Sequence, residues 1–173
     1  MIERLKKNSE YFIYFCGILL FASVLLISAD VVLRKFFSFS FGGADELSSY
    51  VLGILISWSL SYVLFEKMHI RIDIIHNKVS LRFKHLFDVI AMSFTFCFST
   101  LLTYYSFDVL YTSILKNSTA NTPLGTPLWI PQGIWWLGFL FFSLVVFVLL
   151  LKAIKSLYDN KKNKYTGISK EKV

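Results

Sequence analysis

The sequence contains few charged residues and few cysteines. Charged residues make up 17% of its 173 positions, whereas soluble domains carry roughly a quarter. The two cysteines, Cys16 and Cys97, lie in separate apolar runs, outside any CxxC pair and away from histidine. This pattern excludes the usual zinc and redox motifs, and both cysteines are expected to act as small apolar residues.

Motifs for catalysis and cofactor binding are also missing. The sequence has no phosphate-binding loop, no HExxH and no GxSxG, and its apolar runs contain no histidine that could bind haem. Those runs also lack paired midplane carboxylates and the broken helix pair that forms many transport sites. We therefore predict that the chain is not an enzyme and that it binds neither a cofactor nor a metal.

Four long apolar segments dominate what is present. Hydrophobic residues make up 55% of the chain, and the mean hydropathy is +0.60. A membrane-spanning helix needs about 20 apolar residues, and segments at about 11–33, 47–65, 86–110 and 131–151 reach that length. The first segment is too long for the apolar part of a signal peptide, so it is predicted to be retained. We predict an all-α integral membrane protein with one membrane domain, residues 1–173.

Lysine and arginine residues are distributed unevenly between the two sides of these spans. Most lie in the N-terminal tail, in the 66–85 connection and in the tail at 152–173, whereas Arg34, Lys35 and Lys116 lie in the other two loops. The positive-inside rule then predicts that both termini are cytoplasmic. The net charge of +7 is explained by this topology and implies no nucleic-acid partner.

The stretch FEKMHIRIDIIHNK, residues 65–78, has the pattern of a helix that lies in the membrane interface. Apolar residues recur at spacings of three and four, and basic residues lie mostly off that stripe. We predict a cytoplasmic amphipathic helix at about 67–84, with His69, Arg71 and Asp73 on its polar side. Because no third ligand is apparent, a contact between His69 and Asp73 is favoured over a metal site.

Acidic residues lie near the outer ends of the first three spans. An unpaired charge inside a span is costly, so such residues are candidates for function. These acids lie at the membrane boundary, whereas a transport site is expected near the midplane. We predict a structural clasp, and leave a transport site or a docking surface as alternatives. Its members are Asp30, Arg34, Asp45, Glu46 and Asp108.

Small residues recur every four positions in the second span, at Ser49, Gly53, Ser57 and Ser61. This spacing lets two helices approach closely in lipid. The neighbouring helix can belong to this chain or to another membrane subunit, and the pattern leaves both possibilities open. By contrast, the third span (MSFTFCFSTLLTYY) is bulky and aromatic, which favours a helix that faces lipid or fills space.

In their order, these features resemble the small membrane subunit of tripartite ATP-independent periplasmic (TRAP) transporters over nearly the whole chain. Arg34 in DVVLRKFF matches an arginine that follows the first helix, and Glu46 in ADEL matches the acidic position at the entry to the second. His69 and Asp73 in HIRID match a His-x-x-x-Asp motif, and TPLWIPQG matches a Pro-x-Trp before the fourth helix.

The resemblance implies a bacterial inner-membrane protein that partners a large multi-span subunit carrying the sodium and substrate sites. A periplasmic binding protein would deliver an organic acid, such as a dicarboxylate, a keto acid or sialic acid. The small subunit would be a non-catalytic scaffold, and the four small residues of the second span would face the large subunit. Arg34, Lys35 and Lys116 are then candidates for docking the binding protein.

Two other classes of protein compete with this interpretation. A stand-alone four-helix exporter acting as a homodimer would need an ionisable residue deep in a span, and Asp30 is the one remote candidate. A membrane enzyme would need polar side chains that converge in a pocket, and the spans offer none convincingly.

Overall fold

The chain folds into four long helices in the computed structural model, which describes the backbone of residues 2–66 and 81–170 and the side chains of residues 3–66 and 86–158. Each helix contains a stretch that is long and apolar enough to cross a membrane. The predicted all-α fold with four spans is confirmed. The helices are α1 (Ile2–Phe37), α2 (Ala44–Phe65), α3 (Leu81–Leu115) and α4 (Trp129–Lys170).

Most of the predicted interfacial helix, residues 67–80 with His69, Arg71 and Asp73, lies outside the described residues. Residues 81–84, which were assigned to its end, form the first turn of α3 instead. This helix has 35 residues, which corresponds to about 50 Å at 1.5 Å per residue. The hydrocarbon core is only about 30 Å thick, so hydropathy detects part of the helix while the backbone hydrogen bonds continue through its polar flanks.

The helices are arranged as a row in the order α1, α2, α4, α3. Extensive contacts join α1 to α2, α2 to α4, and α4 to α3, and no comparable contact joins α1 to α3 within the described ranges. The connections at 38–43 and 116–128 lie at one end of the row, which we call the loop end. The N-terminus of α1 lies at the opposite end, which we call the N-terminal end.

The best-packed core lies between α2 and α4 toward the N-terminal end of the row. Leu64 of α2 packs there with Phe142, Val145 and Val146 of α4. Both outer helices reach this cluster, α1 through Leu5 and α3 through Met92 and Phe96. Lys6 of α1 also forms an ion pair with Glu66, just after α2, at a distance of 2.7 Å. The N-terminal end is therefore the part of the row where all four helices meet.

The two outer helices face their neighbours with small or short polar residues spaced seven apart. Such a repeat keeps one side of a helix against its neighbour over several turns and is typical of left-handed helix packing. The small or short polar residues buried on α1 are Ser9, Cys16, Ser23 and Asp30, and those buried on α3, beside the apolar Leu110, are Ser99, Ser106 and Ser113. We call these two sets the α1 seam and the α3 seam.

Four serines of the seams donate to carbonyls of their own helices, namely Ser9, Ser23, Ser99 and Ser106. The Ser23 hydroxyl donates to the Leu20 carbonyl of its own helix (2.8 Å), and the Ser99 hydroxyl donates to the Phe96 carbonyl (3.0 Å). Their contribution between helices is thus their small size, because lipid provides no hydrophobic force that drives one apolar helix against another. The remaining surface of α3 carries exposed aromatic rings such as Phe94 and Phe98.

A close approach between α2 and α4 is made at Ser57 and Gly138. A Cβ atom added at Gly138 would lie 2.5 Å from the Ser57 Oγ and 2.8 Å from the Ser57 Cβ. Beside this contact, the Trp58 indole N–H donates to the Ile134 carbonyl across the same pair of helices (3.2 Å). Glycine at position 138 therefore allows the two central helices to touch.

Replacing Gly138 by alanine should push α2 and α4 apart. We expect a loss of about 1–3 kcal/mol in stability, the usual cost of overpacking, measured as a lower apparent melting temperature of the purified chain in detergent. Gly17→Ala is the matched control, since a Cβ at Gly17 meets no atom within 4 Å. Ser57→Gly should restore stability in the Gly138→Ala background. Equal stability of the two alanine variants would contradict the close contact.

Candidate functional site

The first candidate site is built around Asp30 at the loop end of α1. Its side chain is 1% exposed and forms an ion pair with Arg34, one turn further along the helix. The Asp30 Oδ1 also accepts hydrogen bonds from the Ser40 hydroxyl (2.9 Å) and from the Phe41 amide (2.7 Å). The carboxylate therefore holds the α1–α2 connection against the helix that precedes it.

Glu46 performs a similar task in the first turn of α2. It is 6% exposed, and its carboxylate accepts hydrogen bonds from the Tyr50 hydroxyl (2.8 Å) and from the Thr122 hydroxyl. Thr122 lies in the α3–α4 connection, so this contact joins two segments far apart in the sequence. The first turn of a helix also suits a carboxylate, because its backbone N–H groups carry partial positive charge.

These two carboxylates line one cavity of about 330 Å³ at the loop end. Gly43, before α2, lies directly beneath Leu124, which occupies the space that a Cβ would need. Gly42 has a φ of +70° and lies against Pro123. Glycines at both positions thus let the α3–α4 connection close over the start of α2. We call this arrangement the loop-end cluster.

Four of the five residues predicted to form the clasp line this cavity. Asp30 and Glu46 are buried within it, Arg34 pairs with Asp30, and Asp45 is exposed at its rim. Asp108 is exposed on α3. It does not line this cavity, and it forms no ion pair within the described residues. The physical reason is the helix order, because α1 and α3 lie at opposite ends of the row. Asp108 is therefore not brought to Arg34 or Lys35.

The basic residues proposed for docking are all exposed near the loop end. Arg34 has 57% of its side chain exposed although it pairs with Asp30. Lys35 is exposed, with its ammonium 5.9 Å from the centre of the Phe36 ring. Lys116 is exposed directly after α3. Their positive charges therefore remain accessible to a protein approaching this end.

The four small residues of α2 divide into two pairs. Ser57 and Ser61 are completely buried, and Ser57 contacts Gly138 of α4. Ser49 is exposed, and a Cβ added at Gly53 would meet no atom within 4 Å. The pair toward the N-terminal end is thus used for packing within the chain, and the pair toward the loop end remains accessible.

The accessible pair borders a groove of about 170 Å³ between α2 and α4, which we call the α2–α4 groove. The Oε1 atom of Gln132, which lines this groove, is buried and has no hydrogen-bond partner among the described residues. The groove is lined by Ser49, Tyr50, Gly53, Leu128, Pro131, Gln132 and Trp135. Along this groove the small-residue side of α2 is therefore left uncovered by the described part of the chain.

The described side chains contain no group of three or more His, Cys, Asp or Glu residues that could hold a metal ion. Both buried carboxylates of the loop-end cluster accept hydrogen bonds from the chain itself. The cluster therefore acts as a set of internal ties within this chain.

Comparison with known families agrees with this arrangement. The model of the tripartite ATP-independent periplasmic transporters, DctQ component, matches residues 23–156, which include the C-terminal part of α1, all of α2 and α3, and most of α4. The chain belongs to this family. No curated protein and no solved structure matches it.

The DctQ component is the small membrane subunit of a TRAP transporter, so the resemblance seen in the sequence is confirmed. The family is a transporter component and not an enzyme family. Its systems also contain a large membrane component and a periplasmic binding component. The four apolar helices agree with a multi-pass membrane protein.

Sequence reasoning missed the α3 seam and the α2–α4 groove. The seam had a detectable signal, since Ser99, Ser106 and Ser113 are spaced seven apart. The many aromatic residues around them instead favoured a helix that faces lipid or fills space. The groove had no such signal. Its formation depends on which part of α2 is covered by α4, and that is decided by the contact of Ser57 with Gly138.

Glu46→Gln should loosen the α3–α4 connection, because a neutral amide accepts the Thr122 and Tyr50 hydrogen bonds more weakly than a carboxylate. We expect faster amide hydrogen exchange across residues 116–128 in the purified chain. Asp45→Asn is the matched control, since Asp45 is the neighbouring acid and is exposed. If the two variants exchanged at the same rate in this segment, Glu46 would not be its anchor.

Proposed function

We propose that this chain is the scaffold subunit of a sodium-coupled TRAP importer for an organic acid, such as a dicarboxylate, a keto acid or sialic acid. The large subunit carries the sodium and substrate sites, and a periplasmic binding protein delivers the substrate. The chain lies in a bacterial inner membrane with its loop end in the periplasm and both termini in the cytoplasm.

The proposed scaffold role is supported mainly by two small residues of α2, Ser49 and Gly53, that remain accessible in the structure. Small residues in a membrane helix serve close contact with another helix. Ser57 and Ser61 already have such a contact inside the chain, whereas Ser49 and Gly53 do not. We infer that a helix of the large subunit covers this second pair.

The positions of the charged groups agree with a subunit that does not itself transport. Asp30 and Glu46 lie at the loop end and are engaged by the chain's own donors. At the other end, Glu66 is engaged by Lys6. The stand-alone exporter would need Asp30 to bind and release an ion, and the Arg34 pair together with two further hydrogen bonds opposes that role.

Gly53→Leu should separate the two membrane subunits. The Cβ of a leucine there meets no atom of this chain within 4 Å, and the rest of its side chain would keep a partner helix at a distance. We expect most of the large subunit to be lost when the tagged chain is purified from native membranes in mild detergent and its partners are identified by mass spectrometry. Gly17→Leu is the matched control and should retain the complex.

Retention of the large subunit by Gly53→Leu would contradict contact at this position. The same substitution at Ser57 is not informative. Ser57 is completely buried against α4, so a leucine there would damage the chain's own fold.

We propose that the exposed positive charges at the loop end assist docking of the binding protein. Lys35→Glu together with Lys116→Glu should slow substrate uptake into proteoliposomes more at low than at high ionic strength, because salt screens exposed charges. The double variant Lys152→Glu and Lys155→Glu makes the same charge change in the C-terminal part of α4 and should leave uptake unchanged. Equal uptake by the two double variants would contradict a role of Lys35 and Lys116 in docking the binding protein.

A further inference from the structure

The outer side of α1 changes its chemistry along the helix. The α1 seam lies on the side that packs against α2, and residues spaced three and four apart on the opposite side form a continuous exposed stripe. From the N-terminal end of the row, this stripe begins with two basic residues, continues with two tyrosines and then becomes apolar. We call it the α1 edge stripe, and its members are Arg4, Lys7, Tyr11, Tyr14, Ile18 and Phe21.

The basic residues at the start of α1 have two different roles. Lys6 is turned toward the chain and pairs with Glu66 at 2.7 Å. Arg4 and Lys7 are exposed and form no ion pair within the described residues, not even with the neighbouring Glu3. Arg4 also lies in the first turn of α1, where the partial positive charge of the helix disfavours a cation. These two charges therefore contribute little to the fold and are free to bind an anion from outside the chain.

The polar half of the stripe matches the headgroup and the interfacial part of a phospholipid. A guanidinium binds phosphate oxygens through paired N–H donors, and an ammonium binds them as a point charge, so Arg4 and Lys7 suit a phosphate. The centre of the Tyr11 ring lies 6.0 Å from the Lys7 ammonium, and Tyr14 follows three residues later. Amphipathic rings prefer the level of the headgroups, which places the tyrosines directly beneath the phosphate.

The apolar half of the stripe has the length of one leaflet. Tyr11 and Phe21 are ten residues apart, which corresponds to about 15 Å along a helix. This length is half of a hydrocarbon core about 30 Å thick. Ile18 and Phe21 are 69% and 67% exposed, so no described part of the chain covers them. An acyl chain can therefore lie along this part of α1 while its headgroup reaches the two basic residues.

We propose that the α1 edge stripe binds one anionic phospholipid, with its phosphate between Arg4 and Lys7 and an acyl chain along Ile18 and Phe21. The lipid belongs to the leaflet at the N-terminal end of the row. This inference goes beyond the proposed function, because it depends neither on the substrate nor on the large subunit. It requires that α1 cross a bilayer, for which the helix is long and apolar enough.

A second copy of this chain fits the stripe less well than an anionic lipid does. A two-fold contact brings the same surface of both copies together. Two copies that meet side by side along the stripe would place Arg4 and Lys7 of both chains at the same depth. Like charges that face each other at a contact repel, whereas a phosphate headgroup supplies the opposite charge at the required level.

The first test compares the effects of two lipids on the full chain in a neutral detergent. Phosphatidylglycerol should raise the apparent melting temperature more than phosphatidylcholine does, because a ligand that binds the folded state stabilises it. In the double variant Arg4→Gln and Lys7→Gln, the apparent affinity for phosphatidylglycerol obtained from such a titration should fall roughly ten- to thirtyfold. Each variant is compared with its own phosphatidylcholine series, so a change in its basal stability does not affect the result.

The matched control separates a site on α1 from a general attraction of basic groups to anionic lipid. Lys152→Gln together with Lys155→Gln removes the same charge from exposed positions of α4 at the same end of the row. This double variant should keep the wild-type affinity for phosphatidylglycerol. An equal loss in both double variants would overturn the proposed site, and so would a wild-type affinity in the α1 variant.

Photo-cross-linking in native membranes identifies what covers the stripe. Benzoylphenylalanine in place of the exposed Ile18 should give a lipid adduct of the chain, detected as a mass increase of the peptide that contains position 18. The adduct should contain an anionic phospholipid, and the α1 double variant should form less of it. A product that joins position 18 to a second copy or to another protein would overturn the proposal.

Discussion

The structure depends on helices that approach closely because their facing residues are small. In water, burial of apolar surface would drive such helices together, but lipid tails are as apolar as the side chains themselves. Contact must then come from shape, and this chain places serine, cysteine or glycine where two helices meet. The α1 seam, the α3 seam and the contact of Ser57 with Gly138 apply this rule three times. Many large aromatic residues, such as Phe94 and Phe98 of α3, lie on the remaining exposed surface.

The loop-end cluster solves a different problem with a different interaction. Irregular backbone near a membrane must satisfy its polar groups within the protein or with water. Here two buried carboxylates supply acceptors for hydroxyl and amide groups of both connections. Because Glu46 reaches Thr122 across the cluster, the ends of all four helices are held together at a place where the helix faces alone provide few contacts. Asp30 belongs both to the α1 seam and to the cluster, so the close helix contacts continue directly into the hydrogen bonds at the loop end.

Much of this arrangement can be predicted from the sequence, and the limits have physical causes. Hydropathy locates the four spans because a helix that crosses lipid needs a long apolar stretch. The spacing of Asp30 and Arg34 predicts their pair because one helical turn separates them. The contact of Glu46 with Thr122 is different, since 76 residues separate the two and only the folded order of helices brings them together. The order of the helices also places Asp108 away from the cluster, although its position near the end of a span predicted that it would belong to it.

The small residues of α2 show most clearly what can and what cannot be predicted from the sequence. Their spacing predicts close packing but does not identify the neighbour, and the structure buries Ser57 and Ser61 within the chain while it leaves Ser49 and Gly53 accessible. Gly138 decides this division, and a single glycine in α4 gives no sign of that role in the sequence. A periodic pattern thus identifies a surface suited to contact, whereas the partner depends on residues far away in the chain.

The arrangement of the helices as a row has a consequence for the path of a solute. A closed bundle has a central axis around which a passage can form and alternately open to either side. Within the described part of the chain, α1 and α3 share no extensive contact, so the row has two faces and two edges and does not close around a central axis. A solute could be surrounded on all sides only where a second protein covers one of those faces. The described helices can therefore form one wall of such an enclosure, and its other walls must come from a second protein.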